Sequence, residues 1–299
     1  MHSQRHSADQ LADSVSAALA NTPYRAVGFL GRGGMGEVYR VEHTFLGREF
    51  AMKVLYARQA KNPGVVDRMR LEAQATARLQ HPHIVDVSDF WIANDGRPCI
   101  VMELLQGATV AHELMVNGHF PVNVAVAYTC QLLSALSAAH EFGIVHRDIK
   151  PENLFLHEAP GQPRILKVLD FGVARVLPEA PVGAPERLVE TTATGAIVGT
   201  PRYTSPEGLR GERVDGRADV FSAGLVLYTM LTRRGAFDSM LTTDSPLSYE
   251  VKPPSKRVDS YISPKLDAVV LKAIRWDVEE RYQSANELLR DLDRFLSSH

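Results

Sequence analysis

The sequence predicts an α+β protein of two lobes: a small antiparallel β-sheet lobe with one main helix, then a larger, mainly α-helical lobe. Three observations predict it. Strand-like runs separated by turn residues fill residues 24–55 and 84–104. A helical stripe lies between those two regions. From Gly107 onward the apolar spacing becomes helical. With 299 residues, 45% hydrophobic and 23% charged, the chain can bury two cores, which excludes wholesale disorder.

Residues 1–23 read as an N-terminal extension. Leu11, Val15, Ala18 and Leu19 fall at i, i+4, i+7 and i+8, one weakly apolar helix face, compatible with a frayed tail or a docking helix. Asp13, Ser14 and Ser16 break the apolar region that a signal peptide needs. Three antiparallel strands follow: Tyr24 to Leu30, Glu37 to Glu42, and Arg48 to Leu55. A helix is predicted from Pro63 to Gln80, with Val65, Met69, Glu72, Thr76 and Leu79 on one stripe. Ile84 to Ile92 and Pro98 to Leu104 bracket the turn Asn94-Asp95-Gly96-Arg97 and read as a hairpin.

The second lobe shows helices near Val122 to Phe142, Ala218 to Leu231, Pro264 to Ile274 and Asn286 to Leu296. Ser263 before Pro264 and the capping box Ser284-x-x-Glu287 mark the last two starts. Leu114 to Ala139 lacks Asp, Glu, Lys and Arg, but Asn117, Gly118, His119, Pro121, Asn123 and Gln131 interrupt it, which suits a buried helix better than a bilayer span. Pro178 to Glu190 has three prolines and little to pack, and reads as a mobile loop.

The balance of 33 Lys+Arg against 35 Asp+Glu, with no long run of one sign, argues against nucleic acid or an anionic membrane as partner. Cys99 and Cys130 have no zinc-type spacing and read as free thiols of a reducing compartment, which places the chain in the cytoplasm. His81 and His83 lack HExxH or clustered carboxylates and read as turn and surface residues.

The chemistry lies in spaced motifs. Gly31-Arg32-Gly33-Gly34-Met35-Gly36 is GxGxxG, suited to a backbone folding closely over phosphates. A dinucleotide fold would need a helix next and an acid about 20 residues on. A strand follows instead, and no acid lies between Glu49 and Asp67. The Walker pattern also fails, because neither Lys-Ser nor Lys-Thr follows the glycines. In Phe50-Ala51-Met52-Lys53, alternation puts Ala51 and Lys53 on one face, and the inward Glu72 supplies the lysine's partner. His146-Arg147-Asp148-Ile149-Lys150-Pro151-Glu152-Asn153 is followed, after the apolar strand Ile165 to Leu169, by Asp170-Phe171-Gly172.

With the glycine loop, strand lysine, HRDxxxxN and DFG in this order, the sequence resembles the eukaryotic-type (Hanks-type) protein kinases, and its details are most similar to bacterial serine/threonine kinases. The resemblance implies a kinase domain over 24–296, with an N-lobe at 24–103, hinge and C-lobe at 104–296, and a tail at 297–299. It implies that ATP lies between the lobes, that Gly31 to Gly36 cover its phosphates, and that Lys53, held by Glu72, contacts the α and β phosphates. Asn153 and Asp170 would hold Mg, with Mn as a substitute. Asp148 would orient the acceptor hydroxyl and Lys150 steady the γ-phosphate, a pattern that favours serine or threonine. Val38 and Ala51 would pack on adenine, Met102 guard its pocket, and the backbone at Glu103 and Leu105 bind it.

Gly199-Thr200-Pro201 and Ser205-Pro206-Glu207 resemble the end of an activation segment, with Ser205 where alanine is commoner. Asp219 resembles the carboxylate that fixes the catalytic-loop backbone, and Arg281 the partner of Glu207. Arg147 before Asp148 implies control by phosphorylation, with Thr192 and Thr194 as the autophosphorylation sites. The partners implied are protein substrates and ATP, together with a homodimer through the N-lobe. Two alternatives stand beside this reading: a catalytically silent pseudokinase scaffold and a kinase-fold enzyme that phosphorylates small molecules. Pseudokinases usually lack one of Lys53, Asp148, Asn153 or Asp170, and all four are present.

Overall fold

The structure is a computed structural model that describes residues 15, 19, 21–34, 36–170, 202–237 and 251–297, except for the side chains of Arg68 and Glu72. The chain forms two compact units, one of residues up to 80 together with 85–106, the other of 81–84 together with the residues from 107 on.

The first unit is a five-stranded antiparallel sheet in the order β1-β2-β3-β5-β4, made of β1 (Tyr24–Arg32), β2 (Gly36–His43), β3 (Arg48–Leu55), β4 (Val87–Ile92) and β5 (Pro98–Glu103). After a helical turn at Ala57–Ala60, helix α1 (Pro63–Arg78) begins with Pro63 at its first position and Asn62 as cap, whose side chain accepts from Gly64 N at 3.0 Å. The expected stripe packs inward: Val65, Met69, Thr76 and Leu79 are all buried. Val65 and Met69 join Ala73, Leu55 and Ile100 in one core cluster on one face of the sheet. Strand alternation sends Phe50, Met52 and Val54 into a separate cluster on the opposite face.

In the second unit, β6 (Gly107–Thr109), β7 (Leu154–His157) and β8 (Ile165–Val168) form a three-stranded antiparallel sheet. Strands β6 and β7 are absent from the sequence expectation, because runs of three and four residues are too short to display a period. Gly107 is required at its place: φ is +126°, and a Cβ would strike the carbonyl oxygen of Leu156. Thr109 then caps α2 (Val110–Asn117), accepting from His112 N at 3.2 Å.

Helix α3 (Val122–Glu141) is long and apolar enough to cross a membrane, but Leu132, Leu133 and Leu136 are fully buried against neighbouring elements, in line with the core-helix reading. Helix α4 (Gly216–Thr232), capped by Asp215, is buried from Ala218 through Thr232. Helix α5 (Pro264–Ala273) starts at the predicted Ser263-Pro264 cap. At α6 (Ala285–Ser297), Ser284 Oγ accepts from Glu287 N, while Glu287 reaches back to the N–H of Gln283, one residue earlier than a capping box requires.

The 81–84 segment departs from expectation. Ile84 does not extend β4 but forms a parallel bridge with Val168, and Val168 N donates to His83 O. His81 and His83 are half-buried rather than surface residues: His81 Nε2 lies 3.1 Å from Ser134 Oγ, and His83 Nδ1 lies 3.0 Å from Leu166 O. Burial and neighbouring positive charge hold both rings below the ordinary histidine range.

Candidate functional site

In the first unit the glycine-rich segment is the β1–β2 connection. Gly33 N donates to Gly36 O at 2.8 Å, and Arg32 faces Glu37 in register. The glycines have different reasons to be there. A Cβ on Gly36 would strike the backbone carbonyl of Val54 in β3, whereas at Gly31 and Gly34 it would meet nothing within 4 Å. Gly36 is therefore fixed by the protein's own packing. Met35 lies outside the described residues.

Below the loop, Val38, Lys53 and Ile100 sit opposite one another across β2, β3 and β5, and Ala51 sits opposite Met102. This places Val38, Ala51, Lys53 and Met102 on one face, as alternation requires. Lys53 is half-buried. Glu72 lies in α1 one turn from Met69 and Thr76, and its side chain is outside the described part. Glu103 uses its N–H on Asp86 O and its carboxylate on Asp86 N, at 2.9 and 2.8 Å. Leu105 follows, half-buried.

In the second unit, residues 146–153 form one hydrogen-bonded knot. Asp219, at the first turn of α4 and fully buried, accepts the backbone N–H groups of His146 and Arg147, each at 2.8 Å, and its Oδ2 also meets His140 Nε2 at 2.8 Å. Those bonds hold Arg147 at φ +64°, a conformation side chains rarely adopt. His146 is buried. Its Nδ1 accepts from Asp148 N at 3.3 Å, so Nε2 carries the hydrogen donated to Leu169 O at 3.0 Å. Burial lowers its pKa, consistent with that neutral form.

The result is an aimed carboxylate. Asp148 Oδ2 receives Lys150 Nζ at 2.7 Å and Asn153 Nδ2 at 2.9 Å, while Asn153 Nδ2 also donates to the Asp148 carbonyl at 2.8 Å. Buried Ile149 and Pro151 root the turn, and Leu169 N donates to Asn153 O, which sets Asp170 beside the loop at φ +44°. Asn153 spends its amide hydrogens on Asp148, so its Oδ1 remains the atom able to meet a cation. Among the described residues no group of three or more His, Cys, Asp or Glu forms a metal cage. An amide oxygen and a carboxylate suit a hard cation that keeps waters and phosphate oxygens as its other ligands.

The structure resumes at Arg202, so Phe171, Gly172, Thr192, Thr194, Thr200 and the loop Pro178 to Glu190 lie outside the described residues. Beyond it, Ser205 Oγ caps the turn Pro206–Leu209 by accepting from Gly208 N, a use that alanine could not supply. Glu207 and Arg281 form a two-pronged buried ion pair, 2.8 Å at each contact, with Arg281 also donating to Arg275 O and Trp276 O and lying over Phe221. Burial alone would raise the Glu207 pKa, but the Arg281 bonds outweigh it and hold the carboxyl below its usual range.

The sequence reasoning missed the partners that shape the knot, His140 and Leu169 O, because a histidine at the end of a helix and a backbone carbonyl carry no local signal.

Residues 24–292 match the protein kinase domain family. The chain is 41% identical over 277 residues to a probable serine/threonine-protein kinase of Streptomyces coelicolor, covering 89% of this chain and 39% of that protein. It is 40% identical over 281 residues to the serine/threonine-protein kinase PknB of Mycobacterium leprae, covering 91% and 42%. It thus spans about two fifths of the length of these curated relatives. Among solved structures, the PknI kinase domain of Mycobacterium tuberculosis is similar with a TM-score of 0.69 at 26% identity, over 91% of this chain and 96% of that one.

Proposed function

The chain belongs to the protein kinase domain family, and on that premise we propose that it is a serine/threonine kinase transferring the γ-phosphate of ATP to hydroxyls of protein substrates. The observation that carries this reading is the Asp148 carboxylate, fixed by Lys150 and Asn153 on a loop whose backbone Asp219 holds. Phosphoryl transfer passes through a loose transition state with charge on the phosphoryl oxygens, so the protein must align groups and supply cations rather than a covalent nucleophile.

In this reading Asp148 accepts the proton of the acceptor hydroxyl, and Lys150, tethered to it, carries positive charge to the transferred group. Asn153 and Asp170 would hold magnesium, which when bound neutralises phosphate charge. Lys53, with Glu72, would receive the α and β phosphates beneath Gly31 to Gly36. Val38, Ala51 and Met102 would take the adenine ring, with Glu103 and Leu105 offering backbone groups. Because the Glu103 N–H is already given to Asp86, the donor role falls to Leu105. Thr192 and Thr194 are proposed as autophosphorylation sites that order the activation segment through paired cations.

The test is autophosphorylation of phosphatase-treated protein with ATP and magnesium, beside Asp148→Asn, with sites mapped by mass spectrometry. Label in the wild type, and a fall on the order of 10²-fold or more in the variant, supports the reading. Equal labelling of both would overturn it, and label elsewhere than Thr192 or Thr194 would overturn the phosphosites alone.

A further inference from the structure

The sheet of the first unit has two apolar faces, and α1 packs against one of them. On the other, Tyr39, Val41, Phe50, Met52 and Val101 form a second cluster, completed by two residues from before the sheet, Val15 and Leu19, 1% and 4% exposed. They are joined by a helical bond, Leu19 N to Val15 O at 2.9 Å. Thr22 ties the exit, its N–H and hydroxyl both donating to Leu19 O at 3.0 and 2.8 Å. Both apolar residues precede Tyr24, where the family match begins. These two residues lie outside the matched span and are buried in the core of the sheet that the match covers.

What it packs on leads to the glycine-rich segment. Tyr39 belongs to the cluster and donates its hydroxyl to Glu37 at 2.6 Å. Glu37 accepts from Arg32 Nε at 3.0 Å, and Arg32 lies over Phe29, whose ring meets Tyr39 edge-on at 5.6 Å. This closed ring of four side chains spans β1 and β2 at the stem of the loop 33–36.

We propose that the segment carrying Val15, Leu19 and Thr22 is a positioning element for nucleotide: by sealing the second face of the sheet it holds Tyr39, and through Glu37 and Arg32 it holds the stem of the phosphate-covering loop. Val15 and Leu19 are thus same-chain occupants of this apolar face of the sheet. This inference rests on the kinase reading for the loop's role in nucleotide binding, but the seating of the segment is independent of it.

The experiment uses the full chain with Trp276→Phe, which leaves Trp91, packed on the cluster and stacked on Tyr24 at 5.0 Å, as the remaining tryptophan. Val15→Asp with Leu19→Asp should red-shift Trp91 emission, weaken nucleotide binding, and raise KM for ATP severalfold with kcat within about twofold. A synthetic peptide of residues 9–23 should reverse all three, and Leu19→Met should change none. Should the double aspartate variant not fold, Val15→Ala with Leu19→Ala gives the same readings in smaller measure. Unmoved emission, or a peptide without effect, would overturn the seating. Shifted emission with unchanged nucleotide affinity would overturn the positioning role. Wild-type protein that binds nucleotide and transfers no phosphate would count against the kinase reading, with emission and nucleotide affinity still deciding this one.

Discussion

Asp219 and Arg147 are joined across 72 positions of sequence: the carboxylate accepts the Arg147 backbone N–H at 2.8 Å, where the arginine stands at φ +64°. A left-handed arginine is costly, and the bond from α4 is what holds it there, one residue before Asp148. Asp219→Ala strands the N–H groups of His146 and Arg147. At about 1–3 kcal/mol for each unsatisfied buried group, the variant should unfold at clearly lower temperature. Its phosphotransfer should fall by about 10²-fold through misplacement of Asp148, chiefly in kcat. Thermal unfolding and steady-state kinetics on one preparation check both; unchanged kcat in a folded variant would remove Asp219 from the positioning of the loop.

The Glu207–Arg281 pair has two buried ends and two parallel bonds. Removing one charge leaves the other uncompensated, so Arg281→Ala should destabilise by about 3–5 kcal/mol. Joint replacement by Glu207→Leu and Arg281→Met should recover part of that loss. Denaturant unfolding of both variants checks this, and a double variant no better than the single would count against the pair as the cause.

Stability should fall in mild acid. The ordinary histidine value is 6.5, and burial lowers it for His81, His83 and His146. The unfolded chain therefore binds more protons than the folded one below about 6.5. The contribution of the neutral rings is fully present above that pH and declines as pH falls through 6.5 toward the lowered values. Melting temperature measured from about pH 7.5 to about pH 5 should drop, and His81→Gln with His83→Gln should flatten the slope.

Gly36 and Gly34 should respond unequally to alanine. At Gly36 the added methyl meets the Val54 carbonyl, and β2 or β3 must shift, at a cost of about 1–3 kcal/mol and a raised KM for ATP. At Gly34 the methyl meets open space, so stability should stay within about 0.5 kcal/mol. Parallel melting curves decide it.

The legible features share a cause. Caps and stripes such as Val65-Met69-Thr76, Ser263-Pro264 and Ser284-x-x-Glu287 locate helices α1, α5 and α6 to within about two residues, because capping and periodicity act within a few residues. The motifs that hold Lys53, Asp148, Asn153 and Asp170 are visible in the sequence, and the roles proposed for these residues come from the resemblance those motifs carry. Ile84 shows the limit: its apolar run belongs to β4 by pattern, yet it bridges Val168, a partner far along the chain.

The sequence by itself determined the two-part α+β plan, the order of the chemical groups, and the family they belong to. Tertiary structure alone decided the conformation of Arg147, the hydrogen-bonding form of His146, and the different reasons for the glycines. It also seated Val15 and Leu19 of the N-terminal segment in a core, whereas Leu11 and Ala18 of the same predicted face lie outside the described residues. The physical reason is the range of the forces involved. Propensity and amphipathic period are written in neighbouring residues, whereas a buried carboxylate's choice of N–H groups, or an apolar turn's choice of sheet face, depends on surfaces that exist only once distant segments have packed.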